Sequence, residues 1–184
     1  LALQKSIFKI LYFIAHYDDL DKSDTKKFDL PKKQDGIVLS VDVLSLREDV
    51  EQHILESVKN SLLKHREQTG EDAIKYRISE INRLLQGIQL KTTLIDIEPE
   101  KPIFESFNGT KVSINDLSSG EKQLYYRATL LDQLNFQNGL ILVDEPENSL
   151  HPTWQKDVLK LYQNASLNNQ VILATTAYYC FSSS

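Results

Sequence analysis

The spacing of apolar residues predicts two consecutive helices in the first half of the chain. Apolar side chains recur there every three or four positions, which places them on one face of a helix. They are Val50, Ile54, Val58 and Leu62 in the first helix and Ile74, Ile78, Ile81 and Leu85 in the second. Residues 45–48 have capping-box spacing, and Gly70 and Gly87 are predicted to end the two helices. The pattern therefore predicts a helical hairpin over residues 45–87.

Two roles remain open for this hairpin. Basic and acidic residues nearly balance between Arg47 and Arg83. A solvated hairpin packed on a core fits this balance, and so does a lid or arm that contacts a partner.

The first residues of the chain are also apolar at helical spacing. The positions concerned are Leu3, Ile7, Leu11 and Ile14. They predict a helix over residues 1–16 that is buried on most sides. Residues 18–35 are polar and mixed in charge, and they predict an exposed loop.

Strands are predicted where β-branched and other apolar residues follow one another, over residues 37–43, 88–97 and 171–175. Asn108-Gly109 lies between two further strand-like runs, residues 103–107 and 110–114. Asn-Gly in this setting indicates a two-residue hairpin turn with positive φ at both turn positions.

The apolar run at residues 140–143 predicts a central strand of a parallel sheet, because such strands are covered on both faces. It leads directly into Asp144, Glu145, Pro146 and Glu147. Carboxylates at the end of a buried strand are costly unless their charge is used, and open α/β sheets bind ligands at this end. In phosphate-transfer sites one acid holds Mg²⁺ and another orients or deprotonates a water. An acidic surface loop is the alternative.

Residues 117–121 read Leu-Ser-Ser-Gly-Glu and precede a helix predicted over residues 122–134. Ser118, Ser119 and Gly120 would place small side chains and free backbone N–H groups at the helix N-terminus, an arrangement that binds anions. An ordinary serine-capped helix is the alternative. The two motifs together, separated by a helix and an apolar strand, are more specific than either alone.

Composition limits the classes of protein that fit. The chain has 184 residues, which suits one domain, and its net charge of −5 argues against a dedicated, sequence-independent nucleic-acid binder. The single cysteine, Cys180, excludes an internal disulfide framework. The longest apolar stretch is too short to span a bilayer and no signal-peptide cleavage site follows it, so we expect a cytoplasmic protein without a membrane partner.

The motifs resemble those of ABC-type ATPase heads. Residues 117–121 resemble the signature motif, residues 140–145 the Walker B strand, and residues 148–150 the D-loop. The sequence of residues 141–152, ILVDEPENSLHP, is similar to the corresponding sequences of the non-transporter branch. That branch includes RecF-like, SMC-like and overcoming-lysogenization-defect-like ATPases, many of them in DNA repair or anti-phage defence. Residues 115–176 form the motif-bearing core of this resemblance.

The resemblance implies a fold and a mechanism. The fold would be α/β and P-loop NTPase-like, with a largely parallel sheet flanked by helices and the hairpin as an insertion. Two heads, in a homo- or heterodimer, would enclose ATP and Mg²⁺. Asp144 would hold Mg²⁺ and Glu145 would polarise the attacking water.

Further residues are carried over by the same resemblance. Ser119 and Gly120 would touch the γ-phosphate held by the opposite head, with Ser118 and Glu121 beside them in the nucleotide site. Asn148 and Ser149 would lie at the seam between the two heads.

The sequence departs from the family pattern in three places. It contains no G-x-x-x-x-G-K-[ST] phosphate loop, although Lys5-Ser6 resembles the end of one, with Gln4 where glycine is expected. An ordinary lysine and serine on a core helix are the alternative. Thr176 stands where the family commonly has its switch histidine. The chain also stops soon after the strand at residues 171–175, so we expect both ends to be incomplete.

These observations predict one partial ATPase head domain over residues 1–184. We expect it to act in DNA repair or anti-phage defence, with a nucleic acid or an effector nuclease as a further partner. A degenerate, non-hydrolysing head that serves a competent partner is one alternative. A transporter ATPase subunit is another alternative, but the sequences of the motifs disfavour it.

Overall fold

The described part of the chain contains both strands and helices, as an α/β fold requires. The computed structural model describes residues 9–14, 37–42, 50–64, 69–98, 101–148, 150–165 and 168–176. In chain order the elements are β1 (Lys9–Ile14), β2 (Ile37–Asp42), α1 (Val50–Lys64), α2 (Gly70–Leu84), β3 (Thr92–Glu98), β4 (Lys101–Ser106), β5 (Lys111–Val112), α3 (Ser119–Leu134), β6 (Leu140–Asp144), α4 (Pro152–Gln155), α5 (Val158–Ala165) and β7 (Gln170–Ala174).

The main sheet is parallel and has the strand order β2-β1-β6-β7. Leu11 pairs with Ile141 and Phe13 with Val143, and all four side chains are buried. The ring of Phe13 meets that of Tyr162 on α5 edge to face, 5.4 Å between centroids, so a helix packs on this sheet. The predicted α/β class with a parallel sheet flanked by helices is confirmed. The strands predicted at residues 37–43, 140–143 and 171–175 correspond to β2, β6 and β7, with residue 43 outside the described residues and β7 ending at Ala174.

The helix predicted over residues 1–16 is wrong where the structure describes it. Residues 9–14 form β1, which lies between β2 and β6 in the sheet. Leu11 and Phe13 face one side and are fully buried, while Ile10 and Tyr12 are partly buried on the other. A strand covered on both faces is apolar at every position, and a short run of this kind fits helical spacing equally well.

A second, antiparallel sheet consists of β3, β4 and β5. The strand predicted from residue 88 begins only at Thr92, because residues 85–90 form successive turns after α2. The predicted two-residue turn at Asn108-Gly109 is also wrong. Gly109 has φ +80°, whereas Asn108 does not have a positive φ. The Gly109 N–H donates to the carbonyl of Ser106 at 2.8 Å and the Ser106 N–H to that of Thr110 at 3.0 Å, so the loop has three residues and ends in a glycine bulge.

The two predicted hairpin helices exist as α1 and α2. Gly70 does not end the first helix, as predicted, but begins the second, with Thr69 as the N-cap whose hydroxyl accepts the Asp72 N–H at 3.2 Å. Gly87 does follow the end of α2 and has φ +85°. The proposed capping box at residues 45–48 lies outside the described residues. The hairpin's extent over residues 45–87 therefore stays a prediction.

Both hairpin helices pack on α3. The Gln133 side chain on α3 donates to the carbonyl of His53 on α1 at 3.2 Å, and the His53 ring meets that of Tyr126 edge to face at 4.7 Å. On α2, Arg77 forms an ion pair with Asp132 of α3, and both side chains are nearly buried. The described residues of the hairpin therefore belong to the body of the fold.

Helix α3 is the most deeply buried element of the described fold. It begins at Ser119, three residues before its predicted start, and ends at Leu134 as predicted. Nearly every side chain between residues 120 and 131 is buried, so this helix is covered on all sides rather than along one apolar stripe. None of the described helices is long and apolar enough to cross a membrane.

Candidate nucleotide site

The chain turns sharply where β6 ends, and we call residues 144–148 the acidic turn. Glu145 has φ +47°, a left-handed conformation that costs a residue with a side chain on the order of 1 kcal/mol. The Glu145 N–H donates to the carbonyl of Ala174 at 2.7 Å, and the Asn148 N–H donates to the carbonyl of Glu145 at 2.9 Å. The acidic turn is therefore held in an unfavourable backbone conformation by the neighbouring strand β7.

Two threonines that follow β7 donate hydrogen bonds to carboxylates of the acidic turn. The Thr176 hydroxyl donates to Oε1 of Glu145 at 3.0 Å. The Thr175 hydroxyl donates to Oε1 of Glu147, which is buried. Asp144 pairs with Ala174 as the last position of the β6–β7 ladder. This register brings the end of β7 and the acidic turn together.

The carboxylate of Asp144 is partly exposed and, within the described residues, forms no hydrogen bond or ion pair. It therefore fits the Mg²⁺ that the resemblance implies, because protein sites often hold Mg²⁺ by one or two carboxylates together with waters and substrate phosphates. The described residues contain no group of three or more acidic, histidine or cysteine side chains that could hold a metal. A metal at Asp144 would thus depend on oxygen ligands from a nucleotide and from water.

The signature loop, residues 117–121, begins α3 with a complete capping box. Ser118 is the N-cap, and its hydroxyl accepts the N–H of Glu121 at 3.3 Å. Oε2 of Glu121 in turn accepts the Ser118 N–H at 3.2 Å and the Ser118 hydroxyl at 2.8 Å. The serine-capped helix considered from the sequence is therefore present, and it leaves the exposed Ser119 at the start of the helix.

Glu121 is buried, and both of its oxygens are used within the chain. Besides its bonds to Ser118, Oε1 accepts the N–H of Lys91 at 3.2 Å and the hydroxyl of Thr92 at 3.0 Å. The sequence placed Glu121 among the nucleotide-binding residues. In the structure its carboxylate fixes the shape of the signature loop.

Arg127 connects the signature helix to the acidic turn. It is 1% exposed, and its guanidinium donates to the carbonyl of Pro146 at 2.8 Å and to the hydroxyl of Tyr162 at 3.3 Å. Burial raises the pKa of that tyrosine, and the arginine opposes the rise. Sequence reasoning missed Arg127, although a charged residue among Tyr126, Ala128 and Leu130 was a visible signal.

One turn before Arg127, on the same side of α3, Gln123 is 1% exposed. Neither its amide nitrogen nor its amide oxygen has a partner among the described residues. Buried amides are nearly always hydrogen-bonded, so Gln123 is an exception among the described residues.

The structure locates most of the candidate residues in two groups. Asp144, Glu145 and the exposed Asn148 lie at the carboxyl end of β6. The residues of the signature loop lie at the N-terminus of α3, and Arg127 links that helix to the first group. Lys5, Ser6 and Ser149 lie outside the described residues.

Two comparisons with known proteins found similar sequences. The family model described as "AAA domain, putative AbiEii toxin, Type IV TA system" matches residues 4–175. The "Retron Vc95 probable ATPase" of Vibrio cholerae serotype O1 biovar El Tor is 34% identical to this chain over 79 residues. That alignment covers 37% of this chain and 15% of the relative, so the chain matches a small part of the relative's length.

Proposed function

The chain belongs to this AAA-domain family, whose α/β fold is P-loop NTPase-like, and from that membership we propose that it is part of an ATP-hydrolysing head. The observation that carries the proposal is the acidic turn. Asp144, which has no partner among the described residues, and a conformationally fixed Glu145 stand together at the carboxyl end of a central parallel strand. Ligands bind at this end of open α/β sheets, and phosphate transfer needs one carboxylate for a metal and another for the water.

Each acid has a distinct role in the proposed reaction. Asp144 would hold Mg²⁺, whose positive charge would stabilise the phosphate oxygens. Glu145 orients the attacking water and accepts its proton while the water oxygen bonds to the γ-phosphorus. The bond between that phosphorus and the bridging oxygen breaks, and ADP and phosphate leave.

The signature loop would act on a nucleotide held by a second head. Ser119 is exposed at the start of α3, where backbone N–H groups and the helix dipole favour an anion. Ser119 and Gly120 would therefore contact the γ-phosphate, while Ser118 and Glu121 maintain the loop. Asn148 and Ser149 would lie between the two sites of a homo- or heterodimer, as in the RecF, SMC and overcoming-lysogenization-defect branch.

The biological setting that we propose is anti-phage defence, with DNA repair as the related setting in the same branch. The support is the description of the matched family, which names a toxin–antitoxin system, and the retron ATPase among the relatives. A nucleic acid or an effector nuclease would then be the further partner.

A degenerate head that binds a competent partner without hydrolysis is the second candidate. One observation favours it: position 176 carries a threonine where the family commonly has its switch histidine. On this reading the signature loop serves the partner's nucleotide and Glu145 has no water to activate.

Phosphate release with ATP and Mg²⁺, measured on the protein that carries this chain, tests the first candidate. We expect Glu145→Gln to reduce turnover by about a hundredfold or more, because general-base catalysis contributes about that much, while ATP binding is retained. Glu105→Gln, an exposed position on β4, is the matched control and should leave turnover unchanged. Absence of turnover in the wild type, with or without ATP binding, would favour the degenerate head, and absence of ATP binding would refute the first candidate.

Ser119→Glu tests the role of the signature loop across the dimer. The new carboxylate would oppose the γ-phosphate, so ATP-dependent association, followed by light scattering, should be lost. Thermal stability should change little, because acidic residues are tolerated at a helix N-terminus. Unimpaired ATP-dependent association would leave residues 117–121 as an ordinary capped helix.

A further inference from the structure

Residues at and just beyond the end of β7 hold both the backbone and the side chain of Glu145. The Glu145 N–H donates to the carbonyl of Ala174 at 2.7 Å, and Oε1 of Glu145 accepts the hydroxyl of Thr176 at 3.0 Å. Among the described residues, Thr176 is the one that hydrogen-bonds the Glu145 side chain, and Oε2 has no partner there. One carboxylate oxygen is thus held and the other is left available.

This contact matters because the backbone of Glu145 does not fix its side chain. A glutamate has three rotatable side-chain bonds, and at φ +47° residue 145 lies outside the regular strand that precedes it. The side chain of Thr176 is branched at Cβ and therefore stiff, so its hydroxyl is a well-positioned donor. Catalytic groups must be held to within about 0.5 Å of their working position, and a misplacement of about 1 Å costs about a hundredfold in rate.

We infer that Thr176 is a positioning residue for Glu145. Its hydroxyl binds Oε1 and so directs Oε2 toward the water that attacks the nucleotide. This inference rests on the proposed function, in which Glu145 accepts the proton of that water. Thr176 itself touches neither the water nor the phosphate in this assignment.

Two substitutions at position 176 separate the hydroxyl from the shape of the side chain. Thr176→Val keeps the branched shape and removes the donor, whereas Thr176→Ser keeps the donor. Thr176 is exposed, so neither change should alter core packing or the melting temperature. Thr93→Val makes the same substitution at an exposed position on β3 and is the matched control.

Steady-state hydrolysis by the protein that carries this chain is the first measurement. We expect Thr176→Val to lower kcat by about tenfold to a hundredfold while KM for ATP changes by less than about twofold, because binding is not affected. Thr176→Ser should restore most of kcat, and Thr93→Val should match the wild type. In a Glu145→Gln background, Thr176→Val should have no further effect, because both changes remove the same function.

Crystal structures of the nucleotide-free variants give a readout that does not depend on activity. The Glu145 carboxylate should leave its wild-type position in Thr176→Val and keep it in Thr176→Ser. A valine variant with wild-type kcat would overturn the inference, and so would a serine variant as slow as the valine one. If Glu145→Gln leaves turnover intact, the proposed function fails; if it abolishes turnover while Thr176→Val does not, the inference about Thr176 fails alone.

Discussion

Thr92 and Glu121 join the antiparallel sheet to the signature loop through one hydrogen bond, from Oγ1 of the threonine to Oε1 of the glutamate at 3.0 Å. Thr92 is the first residue of β3, and Glu121 lies in the first turn of α3. Because Oε2 of Glu121 also accepts both donors of Ser118, a single carboxylate fixes the loop against the sheet. The shape of the loop is thus set by contacts within the chain.

Glu121→Ala should lower the free energy of unfolding by about 2 kcal/mol, since it leaves buried donors unpaired and removes half of the capping box. Urea denaturation measures the change. Ser119→Ala, two residues earlier and exposed, is the matched control and should change stability by less than about 0.5 kcal/mol. Equal stability of the wild type and the Glu121 variant would contradict the role given to this carboxylate.

Tyr125→Phe should destabilise the fold by about 1 kcal/mol, the typical net contribution of one buried hydrogen bond. Tyr125 is fully buried, and its hydroxyl donates to the carbonyl of Thr92 at 2.9 Å. Burial also raises the pKa of this hydroxyl far above its ordinary range, so it stays protonated and can donate well above neutral pH. Tyr76→Phe makes the same chemical change at a half-exposed ring on α2, and chemical denaturation should show no loss there.

Gly109→Val should cost about 1–2 kcal/mol, because residue 109 has φ +80° and this conformation is unfavourable for a residue with Cβ. A Cβ there would meet no atom within 4 Å, so the cost comes from the backbone alone. Gly109→Asn should cost less, since asparagine tolerates the left-handed region better. Thermal unfolding of the two variants gives the comparison, and equal losses would argue against a backbone cause.

The ionisation of two aspartates should make the free energy of unfolding depend on pH in opposite directions. Burial raises the pKa of Asp132 above its ordinary 3.8, with Arg77 opposing the rise, so the folded state holds this proton more tightly than the unfolded state. Its contribution to stability is fully present below the unfolded pKa and is lost as the pH rises through the folded one. Hydrogen bonds from the backbone and hydroxyl of Ser113 lower the pKa of Asp116, so its contribution is present above 3.8 and is lost as the pH falls through the folded pKa.

Urea unfolding of the wild type, Asp132→Asn and Asp116→Asn between about pH 3 and pH 6 tests these signs. Relative to Asp132→Asn, the wild type should lose stability as the pH rises across this interval. Relative to Asp116→Asn, it should lose stability as the pH falls. Slopes of the same sign for both pairs would contradict the assignment.

The main sheet shows what local patterns can and cannot predict. The continuous apolar run at residues 140–143 predicts a central strand, and the structure has one there. Residues 10–13 are equally apolar, yet were assigned to a helix, because Leu3 and Ile7 upstream happen to continue a helical spacing. Which neighbour covers each face of a short apolar run is a tertiary property, and no window of sequence contains it.

The candidate site was predictable in its residue types but not in its contacts. Asp144, Glu145 and Ser119 could be singled out because their motifs are local. The bond between Thr176 and Glu145 depends on the register of two parallel strands that are far apart in the chain. The ability of Glu121 to bind Thr92 as well as Ser118 depends in the same way on where β3 begins.

The left-handed backbone at Glu145 lowers the stability of the fold, whereas the proposed reaction requires a glutamate at this position. Asparagine tolerates this conformation better and would be expected to raise the melting temperature, but its side chain is shorter and carries an amide instead of a carboxylate. A chain freed from selection for hydrolysis would therefore gain stability by losing this glutamate. Under the proposed function, the glutamate at position 145 therefore lowers the stability of the fold in exchange for a catalytic carboxylate.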